Sequence, residues 1–259
     1  MIELNRIYND ECLVGMHKIP DKSVDMILCD LPYGTTACKW DTIIPLEPMW
    51  AEYERVIKDN GAIVLTAAQP FTSALIMSNV KLFRYCWIWE KDNASNFFAA
   101  KFQPLNNTED IVVFGKGGCN NGTKKPLRYT PQGITVIDRE VTNGKSVGGQ
   151  LGKAHKTSMS EGRKYKQTQT GYPFKTLKFK RDGSHVHPTQ KPVDLFRYLI
   201  RTYTNLGETV LDNCIGSGTT AVAALLEGRN FIGFETDAGY VDIANQRIAA
   251  LSITETEAA

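Results

Sequence analysis

Thr209-Val210-Leu211-Asp212-Asn213-Cys214-Ile215-Gly216-Ser217-Gly218-Thr219-Thr220-Ala221 passes from a short apolar run, through a glycine turn, into an Ala/Leu-rich segment. A short apolar run bounded by turn residues reads as a strand buried on both faces. Gly216 and Gly218 allow a tight turn and let a ligand approach the main chain. The following helix offers free N–H groups at its start. Glu235 ends the next apolar run, 23 residues beyond Asp212, where a carboxylate can meet a ribose diol. The stretch therefore reads as a strand–turn–helix nucleotide site. Gly216-x-Gly218-x-x-Ala221 also satisfies a loose dinucleotide fingerprint, so a nicotinamide-dependent dehydrogenase is one reading. A purely structural turn is another.

Working outward, similar apolar runs occur at 23–30, 61–66, 85–89, 111–114 and 230–235. Helical stretches are expected at 45–59, 217–227 and 238–251. The last places Tyr240, Ile243, Ala244, Ile248 and Leu251 at helical spacing. Strand and helix alternate, which predicts an α/β fold with a doubly wound, mostly parallel sheet. Residues 252–259 read as a frayed polar tail.

Composition narrows the class. The chain has 259 residues, with 30 Lys+Arg against 28 Asp+Glu, so its formal net charge is +2. That length suits one large domain, or one domain with an insert. The 42% hydrophobic and 22% charged fractions exclude disorder and collagen-like repeats. No signal peptide or membrane-length apolar run is visible, so a cytoplasmic protein is expected. Cysteines 12, 29, 38, 86, 119 and 214 show neither Cys-x-x-Cys pairing nor zinc-ligand spacing. They read as buried free thiols, and no metal site is expected.

Charge is unevenly distributed. Residues 116–187 hold 11 Lys and 4 Arg against 2 Asp and 2 Glu, an excess of +11 that leaves −9 for the rest of the chain. Eleven of the 21 glycines also lie there, and aromatics interleave the basic residues at 163–166 and 172–181. Such a segment suits a polyanion, because neutralising phosphates releases counterions. The expected phosphate contacts are Lys124, Lys125, Arg128, Arg163, Lys164, Lys166, Lys178, Lys180 and Arg181. His155 and His185 read as loop residues. Trp87, Trp89 and Lys91 read as core or pocket wall.

Asp30-Leu31-Pro32-Tyr33-Gly34 ends another apolar run. Ligands of open α/β sheets bind beyond the carboxyl ends of the strands. An acid, a rigid turn and an aromatic ring at that place can hold a planar amine: the carboxylate and a main-chain carbonyl accept N–H bonds while the ring stacks.

Asp30-Leu31-Pro32-Tyr33 and Asp212-Asn213-Cys214-Ile215-Gly216-Ser217-Gly218-Thr219-Thr220 resemble the two signatures of S-adenosylmethionine-dependent amino-group DNA methyltransferases. Their order resembles the permuted beta class. His187-Pro188-Thr189-Gln190-Lys191-Pro192 and the opening Asn9-Asp10-Glu11-Cys12-Leu13 are similar to further family segments. Leu31 stands where the family has proline, and Asn213-Cys214 where it has Pro-Phe. The resemblance implies a circularly permuted Rossmann-like methyltransferase fold. It implies a catalytic domain of residues 1–115 and 186–259, with 116–185 as the DNA target-recognition region. It further implies S-adenosylmethionine as cofactor and double-stranded DNA as partner. A homodimer is left open. The implied catalytic set is Asp30, Leu31, Pro32 and Tyr33, with Tyr33 stacking on a flipped-out base. The implied cofactor set is Asp10 or Glu11, Thr189, Lys191, Asp212, Cys214, Gly216, Gly218, Thr219, Thr220 and Glu235. Asp30 at the first signature position favours N6 of adenine; N4 of cytosine and an RNA adenine remain the alternatives.

Overall fold

A computed structural model describes residues 2–34, 41–142, 164–182 and 190–257, with side chains to residue 251. The elements in chain order are β1 (Arg6–Asn9), α1 (Cys12–Met16), β2 (Val24–Asp30), α2 (Leu46–Val56), β3 (Ile57–Ala67), α3 (Phe71–Ser78), β4 (Phe83–Ser95) and β5 (Asn106–Gly115). They continue with β6 (Thr135–Thr142), β7 (Lys164–Thr170), β8 (Thr176–Lys178), α4 (Val193–Tyr203), β9 (Thr209–Asp212), α5 (Thr219–Leu226), β10 (Asn230–Glu235) and α6 (Ala238–Glu257). Eight strands form one sheet in the order β1-β10-β9-β2-β3-β5-β4-β8. Of these, only β5 runs against the others. The fold is thus mixed α/β with a mostly parallel sheet.

The central strands are apolar at consecutive positions because both faces are covered. Met26 and Leu28 of β2 face a core shared with α4 and α5, through Leu195, Phe196, Leu199 and Ala221. Ile27 and Cys29 face the other core, with Met49 and Tyr53 of α2 and Phe71 and Leu75 of α3. Side chains alternate across a strand, so one continuous apolar run feeds both layers. Burying each such side chain contributes about 1.5–3 kcal/mol.

Several expectations are corrected. The run at 111–114 is reversed: β5 lies antiparallel between β3 and β4, whereas the run at 85–89 keeps the common direction. The first long helix stops at Val56, and Ile57 already begins β3. The expected tail is helical: α6 continues to Glu257. Cys119 is exposed, and Cys86 and Cys214 are only partly buried, whereas Cys12 and Cys29 are buried. Cys38 lies outside the described residues.

The chain divides into two compact units, Met1–Thr130 with Lys175–Ala259, and Pro131–Phe174. The second contains the antiparallel ladder of β6 and β7, with Thr135 opposite Thr170 and Thr142 opposite Lys164.

Candidate active site

The sheet reverses its winding between β9 and β2. From β9 the chain crosses through α5 to β10 on one side, while from β2 it crosses through α2 to β3 on the other. A crevice forms beyond the carboxyl ends at such a switch point. A cavity of about 1010 Å³ opens there. Its wall includes Asp10, Glu11, Asp30, Leu31, Pro32, Tyr33, Lys191, Asp212, Cys214, Gly216, Thr219, Thr220 and Glu235. The expected catalytic and cofactor sets therefore share one space. Two expected members stand apart. Gly218 is not in the wall, and Thr189 lies outside the described residues.

On the β9 side the glycine turn is held from behind. Gly216 has φ +50° and donates its N–H to Glu235 Oε2 at 3.0 Å. Gly218 caps α5 with φ +84°, and a Cβ there would lie 2.7 Å from Ala244 Cβ. Left-handed backbone and this close approach both call for glycine. Asp212 accepts from the Cys214 N–H at 3.0 Å and from the Thr220 hydroxyl. Its burial pushes its pKa up to about 6, against these hydrogen bonds. Asn213 accepts from the buried Tyr53 hydroxyl, so this replacement for proline ties the turn to α2.

At the end of β1, Asp10 pairs with Lys18 at 2.5 Å. That hydrogen bond holds its carboxyl below the usual range. Glu11 caps α1 by accepting from the Val14 N–H at 3.0 Å.

On the β2 side, three donors converge on Asp30 Oδ1. They are the Tyr33 hydroxyl at 2.8 Å, the Thr66 hydroxyl, and Lys191 Nζ at 2.9 Å. No described residue bonds Oδ2. Burial, then the Asp30 charge, push the Tyr33 hydroxyl well above its ordinary range, so it remains a donor. One face of the Tyr33 ring stacks on Phe71 at 5.4 Å between centroids. The Leu31 side chain is buried in the core with Met16 and Leu65. Packing there anchors the turn where a proline ring would have stiffened it.

Sequence reasoning missed several wall residues. Thr66, buried behind the cavity wall and bonded to Asp30, was missed as well, although it lies opposite Asp30 in the β2–β3 register and that run was legible. Glu109 and Asp41 reach the cavity from β5 and the loop after β2, whereas Trp89 and Lys91 of β4, read from the sequence as core or pocket wall, line it as expected. Tyr240, expected on the apolar face of its helix, lines the cavity instead.

The family model described as DNA methylase matches residues 24–246, most of the chain. The chain belongs to the N6/N4 DNA methylase family. The nicotinamide reading of the glycine turn is accordingly set aside. This DNA methyltransferase is 26% identical over 96% of its length to DNA adenine methyltransferase YhdJ of Escherichia coli K12, covering 84% of that protein. Its fold matches the crystal structure of the M1.HpyAVI–SAM complex with a TM-score of 0.60 at 22% identity, over 93% of this chain and 98% of that one. It also matches the PvuII cytosine-N4-specific DNA methyltransferase with a TM-score of 0.65 at 15% identity, over 93% and 85% of the two chains.

Many of the methyltransferase's expected phosphate contacts already have acidic partners. Lys164 pairs with Glu140 at 2.6 Å, Lys166 with Asp138 at 3.0 Å and Lys178 with Glu90 at 3.3 Å. Arg128 pairs with Glu208 at 3.2 Å, and Arg181, which also lines the cavity, with Asp92 at 3.7 Å. Lys124, Lys125 and Lys180 carry no ion pair among the described residues. Arg163, His155 and His185 lie outside them. Among the described residues, no helix is long and apolar enough to cross a membrane.

Proposed function

We propose that this methyltransferase acts on N6 of an adenine held outside the DNA duplex, with S-adenosylmethionine as its cofactor. The single observation that carries the reading is Asp30, anchored through Oδ1 and with Oδ2 unbonded by any described residue, in one cavity with the Asp212–Thr220 turn. The donor set fits the cofactor. Glu235 and the acids after β1 suit hydroxyl and amine groups, and the glycine turn leaves main chain open to a ligand. When bound, S-adenosylmethionine supplies an electrophilic methyl group on a sulfonium.

The chain's own residues then have defined tasks. An exocyclic amine is a poor nucleophile because its lone pair is delocalised into the ring. Asp30 Oδ2 accepts one N–H of that amine, and the Leu31 carbonyl accepts the other. Both bonds fix the nitrogen's orientation, and orientation supplies much of the rate. The Tyr33 ring, backed by Phe71, offers a surface for the base. A base inside a duplex cannot reach this cavity and must be flipped out. Asp30 at the first position of its signature, and the similarity to an adenine methyltransferase, support adenine. The fold likeness to an N4-cytosine enzyme keeps cytosine as the second reading. Residues 116–185 serve as the target-recognition region, and β2 preceding β9 in the chain supports the permuted beta-class reading.

The deciding experiment incubates unmethylated genomic DNA with the protein and labelled S-adenosylmethionine, then identifies the labelled nucleoside by mass spectrometry. N6-methyladenine is expected. N4-methylcytosine would replace the reading with its alternative, and no labelled nucleoside would overturn both.

A further inference from the structure

Lys191 is the most enclosed cation of the cavity, with a side chain only 7% exposed. Its Nζ lies 2.9 Å from Asp30 Oδ1 and 3.1 Å from Glu109 Oε2. The contact with Glu109 is an ion pair outside hydrogen-bond alignment. Glu109 Oε1 meets Lys91 Nζ at 2.5 Å, and Lys91 lies over the Trp89 ring. Two carboxylates and two ammonium groups thus alternate from Asp30 to Lys91, and their formal charges cancel. Burial opposes the charge on Lys191, but Asp30, Tyr33 and Glu109 outweigh it and hold its pKa well above the ordinary lysine value. Burial likewise opposes the charge on Glu109, which Lys191 and Lys91 keep ionised.

The row spans elements far apart in sequence. Asp30 ends β2, Glu109 and Lys91 come from the paired strands β5 and β4, and Lys191 precedes α4. Lys191 reaches Asp30 from the segment before α4, whereas Thr66 belongs to β3 and Tyr33 to the turn after β2. Three donors from three places fix a carboxylate's rotation more firmly than one can. Resemblance alone placed Lys191 among the cofactor ligands. Here its ammonium is already engaged by two carboxylates and by the Tyr33 ring, 5.5 Å from the ring centroid.

We propose that Lys191 is a positioning residue that aims Asp30 Oδ2, which no described residue bonds, at the substrate amine, and that Glu109 holds Lys191 in place. The inference rests on Asp30 being the amine-accepting carboxylate. Removing Lys191 frees Asp30 to rotate and leaves this partly buried carboxylate without its cation, while Glu109 keeps only Lys91. The defect therefore falls on the methyl-transfer step and not on cofactor affinity.

The test measures single-turnover methyl transfer at saturating S-adenosylmethionine and DNA, together with calorimetric cofactor affinity, for Lys191→Met, Lys191→Arg, Glu109→Gln and Asp30→Ala. Lys191→Met is expected to slow transfer at least 100-fold while the cofactor Kd stays within threefold. Lys191→Arg, which keeps the charge, recovers at least a tenfold part of that loss. Glu109→Gln slows transfer about tenfold, and it carries the test if Lys191→Met does not fold. A cofactor Kd raised tenfold or more in Lys191→Met, with transfer near wild type at saturation, overturns the inference in favour of a cofactor ligand. Unchanged transfer in Glu109→Gln overturns the holding role. Asp30→Ala separates the two levels. If it retains transfer within tenfold of wild type, the reading of Asp30 fails and takes this inference with it. If it is inactive while Lys191→Met transfers normally, the positioning inference alone fails.

Discussion

Asp212 is a carboxyl group behind the glycine turn whose burial raises its pKa to about 6, whereas an unfolded aspartate titrates near 3.9. Between roughly pH 4 and 6 the native state therefore holds the extra proton. Its contribution to stability is intact below that window and declines as pH rises through it, by about 1.4 kcal/mol for each pH unit crossed. Asp212→Asn cannot titrate and should lose this dependence. Denaturant melts between pH 4.5 and 7.5 should show wild type losing ground to the variant as pH rises. A constant difference between the two would show that burial does not govern Asp212. Carboxylates such as Glu109, whose pKa is lowered, act in the opposite sense, so only the paired comparison isolates this group. Asp30 and Asp212 were legible in the sequence because each ends an apolar run beside turn residues. The contact of Lys191 with Glu109 was not, because 82 residues separate them and only the pairing of β5 with β4 sets Glu109 opposite Trp89.

At the scale of elements, the β9–α5 turn contains two glycines with different demands. Gly218 has φ +84° and a neighbouring helix at its back, so alanine there would press on Ala244 Cβ at 2.7 Å and Ala244 Cα at 3.1 Å. Gly216 has φ +50° but open space around it. Gly216→Ala should cost about 1–2 kcal/mol of backbone strain. Gly218→Ala should add an overpacking cost of about 1–3 kcal/mol and displace α5 from α6. Urea melts of the two variants check the ranking, and an equal cost would refute the packing account. The strands and long helices of the main sheet were readable from apolar runs. The mostly parallel order followed from the alternation of strand and helix, but the reversal of β5 did not, because a run of buried residues looks the same whichever way the strand points. The hairpin of β6 and β7 escaped notice because Lys164–Thr170, largely polar, carries no apolar alternation.

At the scale of the whole molecule, the unit Pro131–Phe174 is separable in sequence from the unit that carries the cavity. Excising 131–174 and joining the ends with a short Gly/Ser linker should weaken DNA binding at least tenfold and leave S-adenosylmethionine affinity within threefold. Calorimetric titration with each ligand checks this, and unchanged DNA affinity would exclude the region from target recognition. The ion pairs sharpen the charge argument. Replacing Lys124, Lys125 and Lys180 with Gln should flatten the slope of log Kd against log salt by roughly 2 to 3, at about 0.9 for each phosphate no longer neutralised. Lys164 and Lys166, already paired with acids, should contribute less. A salt titration that ranks the two sets the other way would refute this. The sheet order carries a last consequence, for synthesis. β2 is flanked by β3, made soon after it, and by β9, made some 180 residues later. Until β9 emerges from the ribosome, one side of β2 offers unpaired backbone groups flanked by apolar residues. Such an edge recruits other chains. Truncated products ending before Thr209 should accordingly collect in inclusion bodies, whereas chains that reach Glu235 close that edge themselves.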